Sequence, residues 1–134
     1  MKNIIINGIE VESHGIYVVN TAYNGLCLVE FPDNPITDYI PIIVSYYDDT
    51  VWQRDHLHYL DYNEKSFRQA NREEIGIFIR KNPFYKNLSV AFSSMDFNKP
   101  DFHDIEVRRL FHYLMGNCWK KDVFDALSGM AVKK

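Results

Sequence analysis

The chain has 134 residues, 15 Lys and Arg against 18 Asp and Glu for a net charge of −3, and 46% hydrophobic residues, the size and composition of one globular domain. A pI near 5.9 is low for a dedicated nucleic-acid binder. No apolar run approaches the length needed to cross a bilayer, and neither Cys27 nor Cys118 belongs to a CxxC pair, so a cytoplasmic protein with reduced thiols and no membrane partner is expected.

Asn7-Gly8 lies between the runs NIII and IEVE. Both central positions of a tight hairpin turn need positive φ, which Asn and Gly tolerate, so a first β-hairpin is expected there. Strands follow at Ile16 to Val19, Leu26 to Phe31 and Ile40 to Tyr46, separated by Asn24-Gly25 and by the stretch PDNP. Pro41 offers no amide to a ladder, which assigns the start of the last of these to an edge. VWQRDHLHYLDY reads as one more strand.

The segment SFRQANREEIGIFIRKNP holds a capping-box pattern, Asn71 with Glu74 three residues on. It predicts a helix from about Arg72 to the Asn82-Pro83 stop, with Ile75, Phe78 and Ile79 on one face. Gly76 and the β-branched isoleucines make a strand the alternative. LSVAFSS resembles a strand. KPDFHDIEVRRLFHYLMGN has the clearest helical pattern, with Pro100 and Asp101 at its start, Val107, Leu110, Phe111 and Leu114 at helical spacing, and Gly116-Asn117 at its end. A shorter helix is expected at Lys120 to Leu127. Together these elements predict a single α+β domain over 1–134, an N-terminal antiparallel sheet or small, partly open barrel packed against two or three C-terminal helices.

Motifs for chemistry are few. The P-loop, GxGxxG and GxSxG patterns do not occur, and Cys27 within GLCLVEF reads as a small core residue rather than a thiolate paired with His14. His56 and His58 in DHLHYLDY point to the same face of a strand, as two ligands of one metal would. Asp61, Asp49, His14, His103 and His112 could complete a set, but no spacing predicts that they converge. Trp52, Leu60 and Tyr62 share the face, so imidazoles packed among aromatics are the favoured reading and a metal-dependent hydrolase ranks third among functions. No cofactor is expected. Asp101, Asp104 and Glu106 suit the first turn of a helix, where unpaired amides favour negative charge, and His112, four residues after Arg108, is assigned to the solvated edge of that helix.

Charge is the least ordinary feature. Between Lys2 and Arg54 there is no Lys or Arg, and residues 1–63 carry two cations against nine acids whereas residues 64–134 carry thirteen against nine. Carboxylates without cations among them repel nucleic acid and attract basic protein surfaces, and tyrosines supply rigid contact area. Glu30, Asp33, Asp38, Tyr39, Tyr46, Tyr47, Asp48 and Asp49 are therefore the candidate partner-binding residues. The expected function is a non-enzymatic binding factor of the inhibitor, immunity or phage-encoded accessory kind, docking a basic protein whose own ligand could be nucleic acid. The alternative is a nucleic-acid module using Arg80, Lys81, Phe84, Tyr85 and Lys86, where cations alternate with rings in a stretch free of acids. Opposite patches of this sort would also allow a homo-oligomer.

Overall fold

The structure is a computed structural model describing residues 4–23, 25–33, 41–48, 50–53, 62–87, 101–117 and 125. The chain is α+β and divides into two compact units, Met1–Lys81 and Asn82–Lys134.

The first unit opens with a hairpin of β1 (Ile5–Ile6) and β2 (Ile9–Glu10). Asn7 and Gly8 both have positive φ, 51° and 74°, the pairing of conformations that the Asn-Gly step predicts. Five further strands form one antiparallel sheet: β3 (Ile16–Thr21), β4 (Gly25–Glu30), β5 (Ile42–Ser45), β6 (Val51–Gln53) and β7 (Tyr62–Gln69), in the order β6-β5-β4-β3-β7. The sheet is open, with β6 and β7 at its edges, and not a closed barrel. One face carries the aromatic and aliphatic core of Tyr17, Val19, Cys27, Val29, Ile43 and Phe67, joined by Ile6, Val11 and Phe31 from outside the ladder. On the other face of the central strands Val18, Leu28 and Val44 are equally buried. A sheet buried on both sides explains why GLCLV is a continuous apolar run rather than an alternating one.

Tyr17 organises the core at one end of the sheet. Its ring stacks on Phe67 at 4.9 Å and meets Phe31 edge-on at 5.5 Å. Its hydroxyl accepts the Glu12 amide at 2.9 Å, so a buried polar atom is satisfied. Gly15 allows this approach, since a Cβ there would lie 2.8 Å from the Tyr17 ring.

Two sequence expectations shift in this unit. The run VWQRDHLHYLDY contains β6 and the first residue of β7, with 54–61 outside the described residues, and β7 continues through YNEKSFRQ, which no apolar pattern announces. β7 pairs with β3 through a wide bulge: from Val18 to Asn20 on β3, the partner moves from Arg68 to Asn63. The Ser66 hydroxyl fills the gap, accepting the Asn20 amide at 2.8 Å and donating to the Asn63 carbonyl at 2.7 Å. Asn7 in the hairpin turn also reaches β7, its side-chain amide donating to the Phe67 carbonyl at 3.0 Å.

Helix α1 (Arg72–Lys81) completes the unit. Its capping box is closed in both directions: the Glu74 amide donates to Asn71 Oδ1 at 2.8 Å and the Asn71 amide to Glu74 Oε1 at 2.9 Å.

The second unit starts with a helical segment α2, described over 83–87. Asn82 caps it, its side-chain oxygen accepting the Phe84 amide at 3.1 Å, with Pro83 in the first turn, where no amide is required. α3 (Ile105–Asn117) begins a turn later than Pro100-Asp101 suggests. Asp104 is its N-cap, accepting the Glu106 amide at 2.8 Å on its side chain and the Arg108 amide at 3.1 Å on its carbonyl. Asp101 instead forms the preceding turn, in which its carbonyl accepts the Asp104 amide. Phe84, Tyr85, Phe102, Phe111 and His112 make an aromatic cluster with ring centroids 5.3 to 6.0 Å apart. His112 belongs to this cluster rather than to a solvated edge: its ring stacks on Phe84, and Nε2 lies 2.7 Å from the Tyr85 hydroxyl. LSVAFSS lies outside the described residues, and within Lys120 to Leu127 the described Asp125 is helical and exposed.

Candidate functional site

Antiparallel pairing fixes which turns are neighbours. Since β3–β4, β4–β5 and β5–β6 are all antiparallel, the β3–β4 and β5–β6 turns emerge at the same end of the sheet. Each tip carries a tyrosine on the outside. Tyr23 is 85% exposed and Tyr47 77% exposed. The Tyr47 ring lies over the start of β4, since a Cβ on Gly25 would be 3.4 Å from it. Gly25 has φ of 70°, so both its conformation and its bareness suit the turn.

The β5–β6 turn is strongly held. The Ser45 amide donates to the Thr50 carbonyl at 3.1 Å, and the Thr50 amide donates to Asp48 Oδ1 at 2.8 Å. These bonds from Thr50 hold the exposed Asp48 carboxyl below its ordinary range, so it is anionic at neutral pH. From the last turn of α1, Lys81 Nζ donates to the carbonyls of Tyr46 at 2.6 Å, Asp48 at 2.7 Å and Ser45 at 3.2 Å.

Tyr46 points the other way, half-buried. Its hydroxyl donates to Glu74, which also receives a forked pair from Arg68, Nη1 to Oε1 at 2.8 Å and Nη2 to Oε2 at 2.7 Å. The Arg68 fork pulls the Glu74 carboxyl down to about 2, and burial followed by the adjacent Glu74 pushes the Tyr46 phenol up. Glu74 therefore caps α1, binds β7 through Arg68 and anchors the β5–β6 turn through Tyr46.

The sequence-derived binding residues separate accordingly. Tyr46, Tyr47 and Asp48 come together on this turn, with Tyr47 and Asp48 outward and Tyr46 committed to Glu74. Asp33 follows the opposite end of β4, exposed, its carboxylate 2.7 Å from Nε2 of buried His14. Glu30 is 2% exposed, paired across β3 with Ile16, and offers nothing to an outer surface. The described acids thus do not form one wall. Asp38, Tyr39 and Asp49 lie outside the described residues, as do His56 and His58.

The basic and aromatic residues of 78–86 are differently employed. Arg80 and Lys86 are exposed, but Lys81 is engaged by the turn carbonyls, Tyr85 is fully buried and Phe84 packs within the aromatic cluster. Neither ring is presented for stacking on a base. Cys27 is buried in the core and its thiol is pushed up by that burial, the condition of an inert side chain. Tyr23 lies outside the candidate set, and its signal in the sequence is a large aromatic next to Asn24-Gly25, where a core residue has no place. No described helix is long and apolar enough to cross a membrane. Compared with family models, curated proteins and solved structures, the chain matches none of them.

Proposed function

We propose that this protein is a non-enzymatic binding factor that docks the paired hairpin tips of its sheet, Tyr23 and Tyr47 beside Asp48, onto a basic protein surface. The observation that carries the reading is the exposure of Tyr23 and Tyr47 on two turns at the same end of the sheet, positions that need no aromatic residue. Large rings left in water on a fixed turn supply contact area at small entropic cost, and tyrosine is enriched among residues that dominate interface energies. The stretch from Lys2 to Arg54, which includes both tips, has no cation of its own, and the Lys81 ammonium that reaches the β5–β6 turn is engaged by backbone carbonyls while the Asp48 side chain stays exposed, which supports a positively charged partner. An inhibitor, immunity or phage-encoded accessory role in the cytoplasm fits such a surface.

The test is affinity capture from the native host with the wild-type chain and two variants, Tyr47→Ala and Asp48→Lys combined with Asp49→Lys. A specific basic protein should be retained by the wild type, lost with Tyr47→Ala, and held more weakly and with less salt dependence by the charge-reversed chain. Equal retention by all three removes the reading.

A further inference from the structure

We infer that Lys81 is the positioning residue of this site, an internal cation that fixes the β5–β6 turn in the shape presenting Tyr47 and Asp48. The inference rests on the reading above, because it gives the clamp its purpose. A lysine ammonium has three N–H donors, and the carbonyls of Ser45, Tyr46 and Asp48 lie within 2.6 to 3.2 Å of Lys81 Nζ. Three carbonyl dipoles with their negative ends converging on one point repel each other unless a cation occupies it. The turn conformation and the charge of Lys81 are therefore coupled.

The lysine is itself well placed to hold. It is the last residue of α1, where a cation is favoured by the helix dipole, and the far end of that helix is fixed by Glu74 to Arg68 and Tyr46. Tyr46 consequently joins the turn to both ends of one helix, by its carbonyl to Lys81 and by its hydroxyl to Glu74. Tyr47, the next residue, has its backbone set by this arrangement while its ring stays in solvent. Removing the charge at position 81 unlocks the turn without touching the surface that the partner meets.

Backbone hydrogen exchange on the full chain tests this without any partner. In Lys81→Met, which keeps an unbranched side chain one atom shorter and loses the charge, amides of Tyr46 to Thr50 should exchange about tenfold faster while those of β3 and β4 stay unchanged. In Lys81→Ala, ammonium or potassium ions, small enough to sit among three carbonyls, should slow that exchange again, and tetramethylammonium at equal ionic strength should not. Exchange in Lys81→Met within about twofold of the parent, or a rise spread equally over the sheet, overturns the inference. Failure of cation rescue in Lys81→Ala overturns it as well, since a packing role would not respond to ions. A loosened, ion-responsive turn whose Tyr47→Ala variant still captured the partner would instead remove the binding reading and leave the clamp standing.

Discussion

Tyr17 and Tyr47 occupy opposite ends of the same sheet and put the same side chain to opposite uses. Tyr17 is 1% exposed, wedged between Phe31 and Phe67 with its hydroxyl paired, and Gly15 is kept bare to admit it. Tyr47 lies between the Tyr46 and Asp48 carbonyls that Lys81 holds, yet its ring is in solvent. The contrast teaches that rigidity and burial are separable: one end uses fixed backbone to complete packing, and the other uses fixed backbone to display a ring. Residues of the first kind govern stability, and those of the second are free to govern recognition.

The sharpest way to break this contrast is to truncate each tyrosine and compare stabilities. Tyr17→Ala should cost about 3–5 kcal/mol by denaturant unfolding, because it leaves a cavity among aromatic rings. Glu74→Gln should come next, at about 2 kcal/mol, since it weakens the Arg68 fork and one arm of the capping box together.

The same carboxyl sharpens the comparison through pH. The Glu74 value in the folded chain is about 2, below its ordinary 4.5. Its contribution is therefore complete above about pH 4.5 and is lost as pH falls toward 2. Wild-type unfolding free energy should decline through that window, and Glu74→Gln should decline less. Equal slopes would detach the carboxyl from the network described.

Asn7→Ala should cost about 1–2 kcal/mol, through loss of a residue suited to positive φ and of its bonds to β7. Smallest of all, Tyr47→Ala and Tyr23→Ala should each change stability by less than about 0.5 kcal/mol. A loss above about 1 kcal/mol at either would mean that these rings are structural after all, and the contrast would collapse.

What could be read from the letters alone follows the range of the forces involved. Asn7-Gly8 and the Asn71–Glu74 box were legible because a turn conformation and a helix cap are decided within four residues. β7 was not legible, since YNEKSFRQ buries Phe67 alone and is held by β3 and by the Ser66 hydroxyl. The start of α3 was ambiguous because Asp101 and Asp104 are equally good caps by type, and the three-dimensional turn assigned them different work. Of the candidate site, Tyr47 and Asp48 were identified from acidity and aromatic content. Glu30, a candidate partner-binding residue by its charge, is buried because it ends the strand whose apolar GLCLV run signals burial on both faces, which outranks the hydrophilicity of one residue. Lys81 reads in the sequence only as part of the basic-aromatic segment: the acceptors that engage it are backbone atoms 33 to 36 positions earlier, and backbone atoms leave no mark in a sequence.

The bulge in β7 has an evolutionary consequence. Asn63 and Arg68 pair with β3 on either side of residues 64–67, an arch in which Ser66 holds the Asn20 amide and Phe67 fills the core while the Glu64 and Lys65 side chains are exposed. Glu64 and Lys65 should therefore be free to vary, whereas relatives of this chain are expected to keep a hydroxyl at position 66 and a large apolar ring at position 67.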